Sequence, residues 1–171
     1  MDIKALTLRP LSPADPPVIC AAFRAQGWHK PESQYDRYLS EQRAGARDGI
    51  VAELHGAFAG YVSVVWVSSY PPFCDAAIPE IVDLNVLKAC QRRGIATALL
   101  DEAESLIGRR SAVAGIGVGL TADYGPAQIL YARRGYVPDG RGAWSGDRPL
   151  AYGEGLVVED DLVLHLTRAL R

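Results

Sequence analysis

The chain has 171 residues, of which 49% are hydrophobic and 22% are charged, and its formal net charge is −2 at pH 7. These proportions are ordinary for a globular protein, and the charge excludes the basic footprint of a protein that mainly binds nucleic acid. No apolar run approaches the roughly 18 residues of a membrane span. The amino-terminal sequence lacks the basic-then-apolar order of a signal peptide.

The first half of the chain predicts one strand, two helices and a hairpin. The strand covers residues 3–11, and a helix follows over residues 16–27, starting from Ser12 or Asp15. A more polar helix is expected over residues 31–45. Two apolar strands over residues 49–67 flank a turn near His55 and Gly56, which is typical of a hairpin. Residues 68–79 contain two adjacent prolines and are predicted to form a loop.

The second half alternates strands with helices, which predicts a mixed sheet in an α/β or α+β domain. Strands are expected over residues 80–87, 112–120 and 161–170, helices over residues 94–110 and 125–135, and a turn over residues 136–140. The longer helix has one apolar stripe at helical spacing. Its members are Ile95, Ala98, Leu99, Ala103 and Leu106.

A cationic, flexible turn stands immediately before that longer helix, in the sequence QRRGIA of residues 91–96. Backbone N–H groups at a helix start carry partial positive charge and are free to bind an anion. Gly94 and Ala96 leave room for close approach, and Arg92 and Arg93 can add charge-assisted contacts to phosphate oxygens. The same residues also fit a plain strand-to-helix turn with two solvated arginines. A Walker pattern is absent, which disfavours a nucleotide triphosphatase.

The six residues of this turn resemble the Q/R-x-x-G-x-G/A signature of the GNAT superfamily of acetyl-CoA-dependent N-acetyltransferases. Residues 80–100 align without gaps on the strand, loop and helix of histone-acetyltransferase-like members, and AQILYARRGY, residues 127–136, resembles the second motif of the family. Ala96 departs from the commoner glycine. The resemblance implies an α/β fold with residues 1–171 as a single GNAT-like domain. In it, a central mixed sheet of six or seven strands is flanked by about four helices, and two splayed parallel strands form the coenzyme cleft.

The resemblance also implies how acetyl-CoA is bound. Backbone groups of the strand would pair with the pantetheine arm as an added strand would, and the amides of the turn would hold the diphosphate. An N–H group near Asn85 or Val86 would polarise the thioester carbonyl. The implied coenzyme-binding residues are Leu84, Asn85, Val86, Gln91, Arg92, Arg93, Gly94, Ile95, Ala96, Thr97 and Tyr131.

Tyr131 matches the tyrosine that the family uses as general acid for the leaving thiolate. Without the resemblance, it reads as a core tyrosine that shares a helix face with Ala127. Glu80 falls where histone-acetyltransferase-like members carry their general base. Four residues of strand span roughly 13 Å, so Glu80 would act through water or through a bulge. Asp83 is the rival base, although a regular strand would point it to the opposite face. Either carboxylate could instead be a solvated or salt-bridged charge.

The resemblance implies direct transfer of an acetyl group from acetyl-CoA to a primary amine. We expect the amine to be on a small molecule, because the loops over residues 68–79 and 140–155 are long enough to enclose a pocket. The alternatives are a non-catalytic acyl-CoA sensor and an acetyltransferase for protein N-termini or lysines. No metal, nucleic acid or membrane partner is implied, and a homodimer is left open.

Isolated cysteines, histidines and glycines complete the list of candidates. The three cysteines show neither CxxC nor zinc spacing, which predicts reduced thiols without a catalytic role in a cytoplasmic protein. The three histidines lack metal spacing and are expected to be surface or packing residues. The glycines of GIGVG, residues 115–119, have the wrong spacing for a dinucleotide fingerprint and are expected to mark a close approach of backbone to the ligand or a neighbouring helix. The cysteines and histidines are Cys20, Cys74, Cys90, His29, His55 and His165.

Overall fold

The computed structural model describes residues 5–170, so Ile3 and Lys4 of the predicted first strand lie outside the described residues. Eight strands form one mixed sheet in the order β1-β2-β3-β4-β5-β8-β6-β7. The chain divides into two compact units. The first contains the residues up to Trp66 and Ile81–Leu106, and the second contains Val67–Glu80 and the residues from Ile107 onwards.

The first unit carries the amino-terminal strands and helices. Its elements are β1 (Leu6–Pro10), α1 (Asp15–Ala25), α2 (Glu32–Arg43), β2 (Arg47–Leu54), β3 (Ala57–Val65), most of β4 (Glu80–Val86) and most of α4 (Ile95–Gly108). Strands β1, β2 and β3 pair antiparallel. The predicted hairpin is confirmed: His55 and Gly56 both have positive φ, 53° and 77°, as a tight two-residue turn requires.

Helix packing in the first unit follows the apolar positions of the sequence. Of the predicted α4 stripe, Ile95, Leu99 and Ala103 are at most 2% exposed. A second cluster packs α1 and α2 on the β2–β3 hairpin through aromatic residues, which is why this part of the core is rich in ring contacts. The cluster contains Leu11, Ile19, Phe23, Tyr35, Tyr38, Leu39, Val51 and Tyr61.

The second unit holds the remaining elements, which are α3 (Pro71–Asp75), β5 (Val113–Gly119), α5 (Gly125–Arg133), β6 (Val137–Ser145), β7 (Arg148–Pro149) and β8 (Leu162–Ala169). Strand β8 pairs antiparallel with both β5 and β6. A small core of Tyr70, Phe73 and Trp144 forms here, with Ile78 packed against it.

Two predicted loops are corrected by these elements. Residues 68–79 contain helix α3. Pro71 and Pro72 occupy its first turn, where the backbone N–H has no partner within the helix, so the two prolines do not prevent a helix. The predicted turn over residues 136–140 is the start of β6, and the predicted loop over residues 140–155 contains the rest of β6 and all of β7. The described chain therefore has eight strands and five α-helices, more than the six or seven strands and about four helices expected. Within residues 5–170, no helix is both long and apolar enough to cross a membrane.

Candidate functional site

The turn before α4 has the backbone and charge that an anion site needs. Arg92 and Gly94 have φ of 60° and 79°, and a Cβ added at Gly94 would meet no atom within 4 Å. The first i to i−4 bond of the helix runs from the Ala98 N–H to the Gly94 carbonyl, at 3.0 Å. The three amides before Ala98 are therefore not used by the helix. With two exposed arginines beside it, this turn offers the donors, charge and space that a diphosphate group requires.

Strand β4 is irregular at Asp83, whose φ is 58°. A positive φ is costly for a non-glycine residue in a strand, and it breaks the regular alternation of side chains. The prediction that Asp83 faces away from Glu80 assumed that alternation. Next to Asp83, β3 approaches β4 closely at Gly60, where a Cβ would stand 2.5 Å from the Asn85 carbonyl oxygen. Glycine at this position permits the approach.

Glu80 is a buried carboxylate in the second unit, with 7% of its surface exposed. Ser68 Oγ donates a hydrogen bond to its Oε2 at 2.5 Å. The same Oγ accepts the Tyr70 backbone N–H at 2.9 Å, which orients the hydroxyl. Burial raises the pKa of Glu80, and the Ser68 hydrogen bond partly opposes that rise. Glu80 is therefore more basic than an exposed carboxylate.

His165 packs beside Glu80 as a neutral ring. Its Nε2 lies 4.0 Å from Glu80 Oε1, but burial lowers the pKa of His165 to about 4. At neutral pH the two groups therefore do not form an ion pair. The imidazole stacks on Tyr70, with centroids 3.5 Å apart, and the Tyr70 hydroxyl donates to Asp139 at 2.7 Å. This agrees with the prediction of a packing role for His165.

The glycines of β5 all lie on one face of the strand, at alternate positions. A Cβ at Gly115 would stand 2.3 Å from the Phe73 ring, and one at Gly119 would stand 2.5 Å from the Tyr124 ring. At Gly117 it would stand 2.9 Å from a methyl group of Val163 and 3.6 Å from Glu80 Oε1. The expected close approach is therefore made by side chains of the same unit.

In the first unit, Asp83 is held by several donors at once. The hydroxyl of Tyr38 donates a short hydrogen bond to Oδ2, and Gln34 Nε2 and the Tyr61 hydroxyl donate to the same oxygen at 3.1 and 3.2 Å. Lys30 Nζ lies 3.9 Å from the other carboxylate oxygen, Oδ1. Burial and the Asp83 charge raise the pKa of Tyr38 to about 12 and that of Tyr61 further, so both phenols keep their protons.

Tyr131 lies on α5 and is 5% exposed. Burial raises the pKa of Tyr131 above the usual tyrosine range, so the phenol is protonated at neutral pH. Its ring is 6.0 Å from that of Tyr136. Both the predicted core position and the proton needed by an acid are therefore present in the same residue.

The three cysteines differ in exposure: Cys20 is buried, Cys90 is partly exposed and Cys74 is exposed, and all three are free thiols. Burial raises the pKa of Cys20, which makes it a poor nucleophile. In the described range, no group of three or more His, Cys, Asp or Glu residues could hold a metal ion.

The acetyltransferase (GNAT) family model matches residues 17–136. The chain belongs to the GNAT acetyltransferase family. Its members use acetyl-CoA, and the turn before α4 fits the coenzyme diphosphate in donors and charge. A search of curated proteins finds no match.

Solved structures with the GNAT fold resemble the chain along nearly its whole length. The yncA protein of Salmonella typhimurium, solved with its cofactor acetyl-CoA, is 18% identical, with a TM-score of 0.70 over 98% of this chain and 95% of that one. A ribosomal-protein-alanine N-acetyltransferase from Brucella melitensis is 18% identical, with a TM-score of 0.69 over 96% and 99%. The spermidine/spermine N-acetyltransferase SpeG from Vibrio cholerae is 16% identical, with a TM-score of 0.67 over 97% and 94%. At these identities the likeness establishes the fold.

In this GNAT chain the sequence motifs identify Glu80 and Asp83 as candidate site residues but not the residues that contact them. Ser68, which binds Glu80, gave no signal in the sequence. The partners of Asp83 come from α2, β3 and the α1–α2 loop. The only sequence feature that points to them is the pair of tyrosines in α2, Tyr35 and Tyr38. These missed residues are Lys30, Gln34, Tyr38, Tyr61 and Ser68.

Proposed function

We propose that this GNAT protein is an N-acetyltransferase that transfers acetyl from acetyl-CoA directly to a primary amine of a small molecule. The observation that carries the proposal is the buried Glu80 carboxylate on the family's general-base position. Acetyl-CoA supplies an activated thioester. The neutral amine nitrogen bonds to the thioester carbon, the C–S bond breaks, and coenzyme A leaves as the thiolate, which then takes up a proton to become the thiol. Counted from the ammonium form, nitrogen loses two protons, one before attack and one as the amide forms. One of them is matched by the proton taken up on sulfur, and the other is released to solvent.

Glu80 is proposed to take the proton from nitrogen. An alkylamine is mostly protonated at neutral pH and must lose a proton before it attacks. A carboxylate is a better base when burial raises its pKa, as it does here. Ser68 fixes one oxygen of Glu80 and leaves Oε1 without that hydrogen bond. Gly117 places no side chain of its own against Oε1, and a methyl group of Val163 fills the space over this glycine.

Tyr131 is proposed to assist the leaving thiolate. A thiol has an ordinary pKa near 8.5, whereas burial raises the pKa of Tyr131. Complete proton transfer from this phenol to the thiolate is therefore uphill. The useful contribution is a hydrogen bond that strengthens as negative charge develops on sulfur, which is general-acid assistance short of full transfer.

Asp83 suits binding better than proton transfer. Its Oδ2 already accepts hydrogen bonds from Tyr38, Gln34 and Tyr61. A base needs a lone pair that is available to the proton of the nucleophile. Three donors occupy Oδ2, and the ammonium group of Lys30 lies beside Oδ1, at 3.9 Å. We therefore propose Glu80, and not its rival Asp83, as the general base.

An acetyl-CoA turnover screen tests the proposal. The acceptors are small amines, polyamines, aminoglycosides, amino acids and peptides, and the readout is release of free thiol with mass spectrometry of the product. An N-acetylated small amine is the expected result. Acetylation of peptides alone would contradict the small-molecule assignment, and coenzyme binding without turnover on any acceptor would indicate a sensor.

The coenzyme site has its own test in Gly94→Asp. The substitution forces a side chain into left-handed backbone and adds negative charge beside the proposed diphosphate. We expect acetyl-CoA affinity, measured by calorimetry, to fall by about 100-fold or more. Gly125→Asp, at a glycine with no atom within 4 Å of its added Cβ and no positive φ, is the control. Near-normal affinity in a folded Gly94→Asp variant would contradict this site.

A further inference from the structure

The ammonium group of Lys30 occupies a small site that is built for an organic cation. Its Nζ lies 5.2 Å from the centroid of the Phe23 ring and 5.6 Å from that of the Tyr61 ring. It donates to the Tyr61 hydroxyl at 3.2 Å and lies 3.9 Å from Asp83 Oδ1. Two ring faces, one hydroxyl oxygen and one carboxylate are the groups that bind alkylammonium ions in proteins. We call Phe23, Tyr61 and Asp83 the ammonium site.

The walls of the ammonium site are rigid. Phe23 and Tyr61 are 0% and 2% exposed, and their rings meet edge to face. The Tyr61 hydroxyl also accepts a hydrogen bond from Tyr35 at 3.2 Å. Asp83 is fixed by hydrogen bonds from Gln34, Tyr38 and Tyr61. The walls of the site are therefore held by contacts other than those with Lys30.

Lys30 is held by one hydrogen bond, to the Tyr61 hydroxyl, and by the two ring faces, without a hydrogen-bonded ion pair. The 3.9 Å separation from Asp83 Oδ1 exceeds hydrogen-bond length, so the pair has only a partly screened charge attraction. Lys30 lies in the loop between α1 and α2, and its side chain and that of Asp83 are 18% and 27% exposed. A cation from solution can therefore replace it.

An open surface cavity lies next to Gln34, one of the residues that hold Asp83. The cavity has a volume of about 300 Å³ and is lined by Pro31, Ser33, Gln34 and Arg37. Gln34 connects the two features, because its Nε2 donates to Asp83 Oδ2. The positive charge of Arg37 is compensated by Glu41, at 3.6 Å. The cavity can thus receive the body of a cationic ligand whose ammonium group reaches Asp83.

We propose that the ammonium site recognises a second, non-reacting ammonium group of the acceptor, and that Lys30 fills the site in the free protein as an intramolecular competitor. This inference rests on the proposed N-acetyltransferase function and names its substrate class, the alkyl diamines and polyamines. A carboxylate beside an amine stabilises the charged form, which cannot attack a thioester. The amine bound at Asp83 is therefore the anchor, and another amine of the same molecule is acetylated.

Binding without acetyl-CoA tests the inference independently of turnover. The probe is 1,5-diaminopentane, measured by calorimetry, with 1,5-pentanediol as the neutral analogue. Lys30→Met keeps an apolar chain of similar length and removes the competitor, so the diamine should bind about five- to tenfold more tightly. Asp83→Asn keeps the shape and removes the charge, so the diamine should bind about tenfold or more weakly, while the diol should be unaffected by either change.

A matched control is available in Lys88. Its Nζ also lies over an aromatic ring, that of Trp28 at 5.2 Å, and Lys88→Met should leave diamine affinity unchanged. In the double variant Lys30→Met/Asp83→Asn, the gain from Lys30→Met should vanish, because the two residues act on one site. If Lys30→Met weakens diamine binding or leaves it unchanged, Lys30 is not a competitor and the inference is wrong. That single variant decides the matter even if Asp83→Asn fails to fold.

Turnover then separates the inference from the proposed function. With acetyl-CoA present, kcat/KM for 1,5-diaminopentane should exceed that for pentylamine about tenfold, because a monoamine held at Asp83 is bound unproductively. If the binding pattern holds but no amine is acetylated, the ammonium site stands and the proposed function fails. If pentylamine is acetylated as well as the diamine and Lys30→Met changes neither, the proposed function stands and the ammonium site fails.

Discussion

Two carboxylates, three residues apart on strand β4, have opposite surroundings. Glu80 is buried beside a neutral histidine and accepts one hydrogen bond from a hydroxyl group. Asp83 is more exposed and accepts three hydrogen bonds on a single oxygen. The contrast teaches that the surroundings, and not the type of acid, decide between proton transfer and binding. A desolvated carboxylate with few donors suits a base, and one that several donors hold in place through a single oxygen suits an anchor.

The largest effect is expected from Glu80→Gln. Removing the proposed base should lower kcat at neutral pH on the order of 10²- to 10³-fold and abolish the acidic limb of the pH–rate profile. The raised pKa of Glu80 places that limb above the range of an exposed carboxylate, since the base works only when deprotonated. Asp83→Asn is the matched comparison and should keep the limb while raising KM. If Asp83→Asn removes the limb and Glu80→Gln does not, the two roles are exchanged.

Tyr131→Phe tests the hydrogen bond that is proposed to stabilise the departing sulfur. The change keeps the buried ring and removes the hydroxyl, so kcat should fall about 10- to 100-fold. Acetyl-CoA affinity should hardly change, because the lost interaction is made mainly in the transition state. Stopped-flow turnover and calorimetry measure the two quantities separately. Unaltered kcat would leave Tyr131 with a packing role.

A smaller effect is expected from Ser68→Ala. Loss of the hydrogen bond that opposes the burial of Glu80 should raise the pKa of Glu80 further and move the acidic limb to higher pH. Turnover at neutral pH should fall by about two- to tenfold, the range of one hydrogen bond worth about 0.5–1.5 kcal/mol, and recover at high pH. Ser63→Ala is the control, because Ser63 Oγ is buried with no hydrogen-bond partner in the described residues. A limb that does not move would remove Ser68 from this role.

The smallest effect on turnover is expected from Tyr38→Phe. Asp83 loses one donor, so the free energy of unfolding should fall by about 1.5–3 kcal/mol, as for a hydrogen bond to a charged group. The acidic limb should stay in place, because Glu80 is unaffected. Urea unfolding and a pH–rate profile measure the two quantities. A shifted limb would show that Asp83 takes part in proton transfer after all.

Prediction from sequence succeeded where the signal was local. The strand, turn and helix over residues 80–110 follow from a short apolar strand, a glycine and a stripe of residues at helical spacing, all close in sequence. Strand β6 was missed because Pro138, Gly140 and Gly142 are typical of turns. Its pairing with β8, irregular between Pro138 and Ala143, outweighs that local preference.

The site was predictable as residues but not as an environment. Glu80 and Asp83 were both recognised as candidate bases, and the sequence could not rank them by their contacts. The donors on Asp83 include Tyr38, 45 residues away, and Tyr61, 22 residues away. Ser68 is separated from Glu80 by helix α3, which was not predicted because two prolines, Pro71 and Pro72, begin it. Such partners follow from the tertiary fold, and the local patterns of a single sequence do not specify its long-range contacts.

The glycine face of β5 limits which side chains related sequences can carry at these positions. The ring of Phe73 fills the space over Gly115, and the ring of Tyr124 fills the space over Gly119. A methyl group at either glycine would overlap its ring, and a smaller residue in place of either ring would leave a void. Neither partner can change size alone. Among related sequences, positions 115 and 73, and positions 119 and 124, should therefore covary in volume, small against large.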